Sequence, residues 1–236
     1  MSNWEFWTPY TKAWRATWNK DLSSFKSRFW AFVDMFFLDH GFFRYFYPNR
    51  FNVTAQVERQ NHPTPFGVAR AARRGIKTII NLRGDSQLGS SLLSKRACAR
   101  HGIKLVELKT YSRRLPDKAL IQRAKKVFNE VEYPALLHCK SGADRAGLMS
   151  ALFLILHEGR PVEEAKKQLH WRYGHIRQSN TGILDAFLEA YEEENKKQPI
   201  DFLTWVEEKY DQAAILKNYK SKRWASFFYD RILRRE

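Results

Sequence analysis

The hydrophobic pattern changes character along the chain. In the first 47 residues apolar positions recur at steps of three and four: Trp14, Trp18, Leu22, Phe25, Phe29, Phe32 and Phe36. That spacing predicts a helical stripe. Two readings fit it. One is a helix packed on the domain. The other is an interfacial helix on lipid, with tryptophans at headgroup depth and Lys12, Arg15, Lys20, Lys26 and Arg28 near phosphates. From about Phe51 short apolar runs alternate with amphipathic ones. Pro65 to Arg74 predicts a helix closed by Gly75. Ile76 to Leu82 is a short β-branched run and predicts a buried strand. A helix over Ser91 to Arg100, ended by Gly102, precedes a second strand at Lys104 to Leu108. Pro116 in a first turn opens a helix to about Val131. Ala135 to His138 is a short apolar strand, and Arg145 to Glu158 an apolar helix stopped by Gly159 and Pro161. Helices follow at Val162–Tyr173, Ile183–Glu194 and Asp201–Tyr210, then one at the C-terminus. Alternating strands and helices argue an α/β domain with a largely parallel sheet flanked by helices. The expected organisation is an aromatic-rich helical segment at 1–50, a domain at 51–191 and a C-terminal helical extension at 192–236.

Composition narrows the class. A chain of 236 residues suits one domain with appended helices. With 44% hydrophobic and 28% charged residues it is not a disordered chain. Two cysteines exclude a disulfide scaffold and fit a reducing compartment. The net charge is +16 and is unevenly placed: +12 falls in residues 51–150, +3 in 1–50 and +4 in 220–236, with −3 in 151–219. A nucleic-acid tail is usually a terminal block of Lys and Arg. A positive field around the middle of the chain instead implies a cleft for an anionic partner, and nucleic acid is the least favoured partner. The longest uncharged apolar run, Ala146 to Leu156, falls well short of the roughly 20 residues a membrane span needs. No secretory pattern is visible. The expectation is a cytoplasmic protein, with peripheral contact at a membrane surface left open. Lys220 to Glu236 bears on that option. Trp224, Phe227, Phe228 and Ile232 lie near one helical face among basic residues. This helix either meets an anionic membrane or packs on the N-terminal aromatic helix.

The chemistry lies in His138-Cys139-Lys140-Ser141-Gly142-Ala143-Asp144-Arg145-Ala146-Gly147, after a predicted strand and at the start of a predicted helix. A Cys and an Arg six positions apart at such a junction make a phosphate site. The loop between them can aim successive backbone N–H groups inward, and the helix N-terminus adds its dipole. The Arg145 fork can grip two phosphate oxygens. The same positive surroundings favour the Cys139 thiolate. Gly142 lets the loop curl without a Cβ clash.

This segment resembles the His-Cys-x5-Arg signature of the cysteine-dependent phosphatases, the superfamily of protein-tyrosine, dual-specificity and phosphoinositide phosphatases. The resemblance covers roughly Phe51 to Tyr191. It implies a dual-specificity-phosphatase-like fold, attack by Cys139 on a phosphate monoester, a phosphocysteine intermediate, and no metal or cofactor. It implies phosphate binding by Arg145 and by the loop residues Lys140, Ser141, Gly142 and Ala143. His138 would shape the loop. Two positions depart from the family pattern. Ala146 stands where a Ser or Thr usually stabilises the leaving thiolate, a role left to Ser141 or unfilled. Asp144, directly before the Arg, resembles the general acid of the myotubularin-type and Sac-type phosphatases. A second acid candidate is Asp117, whose Pro116-Asp117 pair resembles the mobile acid loop of tyrosine phosphatases and equally suits a helix start. The string His-Cys-Lys-Ser-Gly is similar to the loop of the tensin-type lipid phosphatase, where Lys140 would meet an acidic inositol ring; a solvated Lys is the other reading.

Downstream, His175, Arg177 and Gln178 occupy a segment that lines the pocket in the superfamily, or else an ordinary turn closed by Gly182. Arg83, Arg113 and Arg114 are further rim candidates. Cys98 is either a protective partner of Cys139 or an inert helical thiol. The expected substrate is a phosphorylated anionic molecule, leaning to a phospholipid or inositol phosphate, with phosphoproteins as the alternative and a weakly catalytic phosphate-binding module behind both.

Overall fold

Five short strands make the sheet: β1 (Phe51–Asn52), β2 (Val57–Gln60), β3 (Thr78–Asn81), β4 (Lys104–Glu107) and β5 (Ala135–His138). They belong to a computed structural model that describes residues 3–220. The order is β1-β2-β5-β3-β4, with β1 antiparallel to β2 and every other pair parallel. The fold is thus a mixed, mostly parallel sheet with flanking helices. The predicted strands sit where the apolar runs placed them, because every residue of β3 and β5 is buried and Ile, Leu and Thr fill such positions well. Register aligns Gln60, His138 and Asn81 across the three central strands at their carboxyl ends. Parallel sheets bind ligands at that edge, and the Cys139 loop leaves β5 there.

By chain contacts the molecule divides into two units: the residues up to Lys109 with Val131–Ala146, and Thr110–Glu130 with the residues from Gly147 on. In the first, helices Pro65–Arg73 and Gly89–Arg100 pack on the sheet through Val68, Ala71, Ala97 and Cys98 against Ile79 and Leu136. Thr64 caps the first of these helices by accepting from Gly67 N at 3.2 Å. Gly75 ends it at φ +85°. In the second, Phe128 of helix Lys118–Glu130 meets Phe153 of helix Asp144–Leu156 edge-on at 5.4 Å. Phe187 and Tyr191 of helix Ile183–Lys197 pack against Phe202 and Trp205 of helix Phe202–Glu208. Among the described residues no helix is long and apolar enough to cross a membrane.

The N-terminal stripe departs from one continuous helix. Helix Asn3–Ala16 ends before a turn, and a second helix runs Phe25–Val33. Polar side chains break the register between them. Asn19 Oδ1 accepts from Asp21 N, Asp21 Oδ1 accepts from Ser23 N, and Ser24 caps the next helix by accepting from Ser27 N. Trp18 and Leu22 pack with Ala31, Met35 and Leu93, and Trp14 joins them, so this part of the stripe is core. A π-turn follows at Asp34–Leu38, closed by Asp39 N donating to Asp34 O at 2.8 Å. Residues five apart then face the same way, and both Asp34 and Asp39 turn inward. Helix Gly41–Phe46 follows. The helix predicted over Val162–Tyr173 is also broken. It is α-helical only at Val162–Ala165 and continues as 3₁₀ turns at Lys166–Gln168 and Trp171–Tyr173, where the His170 ring takes the Arg172 N–H. The basic amphipathic segment predicted from Lys220 lies outside the described residues from 221 on.

Candidate active site

The loop from Cys139 to Asp144 owes its shape to bonds on its outer side. Four successive carbonyls are held there. Lys140 O accepts from His62 N at 3.2 Å and Ser141 O from Asn49 Nδ2 at 2.9 Å. Gly142 O and Ala143 O both accept from one nitrogen of the Arg59 guanidinium, at 2.7 and 2.8 Å. In a planar trans peptide the N–H points opposite to the C=O. Pinning the carbonyls of 140–143 outward therefore aims the N–H groups of 141–144 at the loop's centre, which is an anion nest. Gly142 N reports the same geometry by donating to Cys139 Sγ at 3.2 Å. Gly142 has φ +79°, and a Cβ there would meet Asn61 N at 2.7 Å. The position therefore requires glycine on both counts. Arg145 and Asp144 stand in the first turn of helix Asp144–Leu156, both half-buried. Ala146 is fully buried and carries no hydroxyl, while Ser141 Oγ accepts from Ala143 N at 3.4 Å.

Beneath the loop sits a buried polar cluster. His138 Nδ1 lies 3.3 Å from Cys139 O, and its ring is 4.5 Å from that of His62. Burial, with help from Arg83, Arg44 and Arg145, pushes the His138 pKa down to about 3, so the ring is neutral at pH 7. Burial also holds His62 well below the usual histidine range. An Arg guanidinium only donates, so the 2.8 Å bond from Arg83 makes His62 Nδ1 an acceptor and leaves its proton on Nε2.

Asp39 anchors the cationic part of this cluster. Its carboxylate takes both end nitrogens of Arg83, at 2.6 and 2.9 Å. Ser90 Oγ donates to it at 2.7 Å. It pairs with Arg44 at 3.0 Å and with Lys140 at 3.5 Å. Burial alone would raise the Asp39 pKa. The hydrogen bond and charge of Arg83, with Arg44 and Ser90, reverse that and hold the carboxyl well below the ordinary range. Three cations share one carboxylate, so the cluster stays positive. Burial and the two arginines depress the Lys140 pKa, against the pull of Asp39.

The remaining candidates fall elsewhere. Arg83 is turned inward onto Asp39 rather than standing at the rim. Lys140 is neither a fully solvated Lys nor a free one, because it leans on Asp39. Cys98 is buried in the helix–sheet core, and burial raises its thiol to about 11; both cysteines are free thiols. Asp117, His175, Arg177 and Gln178 lie in the second unit. There Asp117 Oδ1 caps helix Lys118–Glu130 by accepting from Leu120 N at 2.6 Å. His175 Nε2 is 2.7 Å from Asp185 Oδ2, and Arg177 pairs with Glu189 at 2.6 Å. Arg177 and Gln178 line a cleft of about 260 Å³ with Glu189, Glu193 and Tyr219. Arg113 and Arg114 are exposed, with Arg114 over the Tyr111 ring at 5.1 Å.

Sequence reasoning missed Asp39, Asn49, Arg59 and His62, the side chains and backbone that hold the loop from outside. The signal available was the polar run Glu58-Arg59-Gln60-Asn61-His62, unusual beside a buried strand.

Comparison with known proteins bears on the family and the fold. A family model described as "DSP-PTPase phosphatase fused to NAD+ Kinase" matches residues 51–182, more than half of the chain. The chain belongs to this DSP-PTPase family. It is similar to the dual specificity protein phosphatase TpbA of Pseudomonas aeruginosa strain UCBPP-PA14, 24% identical over 122 residues, covering 51% of this chain and 53% of the relative. Against TpbA of strain PAO1 the identity is 23% over 128 residues, 53% of this chain and 56% of the relative. The chain thus spans about half the length of the curated relatives it matches. The crystal structure of P. aeruginosa TpbA superposes with a TM-score of 0.50 at 22% identity, over 60% of this chain and 84% of that one, which shows the DSP-PTPase fold.

Proposed function

We propose that this DSP-PTPase hydrolyses phosphate monoesters through a phosphocysteine on Cys139. The observation that carries the reading is the set of four outward-bonded carbonyls at 140–143, which aims the following N–H groups toward the loop's centre, Gly142 N reaching Cys139 Sγ at 3.2 Å. Sγ attacks phosphorus in line and the P–O bond to the leaving group breaks. Arg145 and the loop N–H groups stabilise the charge on the transferring oxygens. Asp144 donates the proton the leaving oxygen needs, a choice supported by the engagement of Asp117 as a helix cap. Water then cleaves the S–P bond, releasing phosphate and restoring the thiolate.

The substrate class we favour is an anionic phospholipid or inositol phosphate. Lys140 at the loop, backed by Arg83 and Arg44 around one carboxylate, supports a substrate with more negative charge than a single phosphate. The printed name of the relatives, dual specificity protein phosphatase, supports phosphoproteins as the second reading. A panel of phosphoinositides, other phospholipid phosphates and phosphotyrosine peptides decides between them. Lipid or inositol phosphates are expected to turn over fastest, and far faster turnover of the peptides contradicts that preference. Cys139→Ser is expected to abolish turnover of every substrate while phosphate binding persists; unchanged turnover removes Cys139 from the mechanism.

A further inference from the structure

Residues 25–47 reverse the usual placement of charge and apolar surface. The carboxylates of this stretch, Asp34 and Asp39, are buried, and so is Arg44. The phenylalanines face out. Phe32, Phe36, Phe42 and Phe46 form a continuous row with ring centroids 5.5, 5.4 and 5.1 Å apart. Phe37 and Phe43 extend the row at 5.1 and 5.7 Å and are 65% and 71% exposed. A contiguous aromatic surface of this kind marks an interaction site.

Its chemistry selects the partner. The backbone is helical over Phe25–Val33, through the π-turn, and over Gly41–Phe46, so it satisfies most of its own hydrogen bonds. That is the condition for entering a layer that offers few hydrogen-bonding partners. A protein partner would ordinarily find a hydrogen-bonding rim around such a core. Here the charge on the flanks is net positive. From Phe25 to Arg50 no carboxylate is exposed, Lys26 is exposed at one end, and at the other Arg50 is exposed beside its partner Glu58, 3.4 Å away. Trp14, Trp18 and Leu22, the more obvious lipid candidates in sequence, are occupied in the core with Met35 and Leu93.

We propose that the outer face of residues 25–47 docks on an anionic phospholipid bilayer, the phenylalanine rings entering the interfacial layer while Lys26 and Arg50 meet lipid phosphates. The inner face of the same stretch supports the Cys139 loop through Asp39 on Lys140, and Asn49, just beyond it, holds Ser141 O. Docking therefore tethers the loop to the bilayer surface. The proposal does not depend on the catalytic reading, because binding is measured without turnover.

The test is co-sedimentation of the full chain with vesicles of phosphatidylcholine alone and of phosphatidylcholine mixed with phosphatidylglycerol. The chain is expected to bind the mixed vesicles preferentially. A variant combining Phe37→Ser, Phe43→Ser and Phe46→Ser is expected to lose at least about tenfold in partitioning, since binding scales with buried apolar area. Turnover of a soluble aryl phosphate by that variant should stay at the parent level, which certifies its fold. The single change Phe43→Glu gives the same answer should the triple variant not fold. A second variant, Trp224→Ser with Phe227→Ser and Phe228→Ser, assigns the effect. Four results overturn the proposal. They are failure of the parent to bind mixed vesicles, unchanged binding by the Phe43→Glu protein, loss confined to the C-terminal variant, or a parent dimer that dissociates on Phe43→Glu with vesicle binding unaltered.

Discussion

Replacing Asp39 by Asn leaves Arg83 and Arg44 in place without their buried counter-charge. Removing one partner of a buried ion pair costs about 3–5 kcal/mol, and here one carboxylate serves two buried arginines and Lys140. Asp39→Asn is expected to lower Tm by many degrees and to weaken kcat/KM, because Lys140 and the Arg83–His62 contact lose their anchor; a Tm within a degree of the parent contradicts this. The same cluster sets the acid limit. Asp39 has a folded pKa below its unfolded value, so its contribution is present above the ordinary Asp pKa of about 3.9 and is lost as pH falls through and below it. His138 titrates near 3 when folded and near 6.5 when unfolded, so the unfolded state takes up the proton first. Stability should therefore fall between pH 6.5 and 3 by on the order of 1.4 kcal/mol per pH unit for that ring alone. Urea titrations across this window check the slope, and a flat profile contradicts it. The acid assignment is also a residue-scale matter. Asp144→Asn should reduce kcat by about a hundredfold or more on alkyl phosphates and much less on a nitrophenyl phosphate, whose leaving group needs no proton. Asp117→Asn should mainly weaken its helix cap. The reverse pattern in kcat transfers the role to Asp117.

At the scale of elements, the loop depends on a polar strand and a π-turn more than on its own residues. Asp34, on the buried face of Ser27 and Ala31, accepts from Gly89 N at 2.6 Å and from Arg15 Nε at 2.7 Å. It thus caps helix Gly89–Arg100, whose own N-cap residue, Leu88, offers no side-chain oxygen. Asp34→Ala should cost about 1–3 kcal/mol, read as a lower denaturation midpoint, because a buried N–H and an arginine lose their acceptor. A loss below about 0.5 kcal/mol, the ordinary surface level, would contradict the capping role. The elements legible in sequence were those whose pattern is local. β3 and β5 are short apolar runs, helix Pro65–Arg73 has a Thr-Pro start and a Gly stop, and the loop from Cys139 to Asp144 is a single contiguous segment. β2 was not legible, because Arg59 and Gln60 are polar yet buried, and Arg59 is satisfied by loop carbonyls more than 80 positions away. Asp34 and Asp39 were not legible either. The apolar stripe Phe25, Phe29, Phe32 and Phe36 marks the exposed face, whereas both carboxylates fall on the buried face of Ser27, Ala31 and Met35.

For the whole molecule, the +16 charge is a field with a centre. Its middle stretch supplies Arg83, Lys140 and Arg145 to the loop and its support, and Arg44 joins them from the N-terminal segment. Such a field raises the encounter rate of an anionic substrate and is screened over roughly 10 Å at 0.1 M salt. Raising ionic strength should increase KM for a multiply charged phosphate several-fold with little change in kcat; a salt-independent KM removes steering from the account. Under the docking proposed above, residues 25–47 would carry the membrane-facing aromatic rings and, through Asp39 on Lys140, also support the loop.

The central claim is that Cys139 Sγ carries the phosphoryl group, and rapid acid quenching of enzyme mixed with excess aryl phosphate tests it most directly. Mass spectrometry of the digested protein should find one phosphoryl group on the peptide containing Cys139, formed within the first turnover and absent from Cys139→Ser. A first-turnover burst of product with no phosphoryl group on Cys139, or with the group on another side chain, contradicts the account.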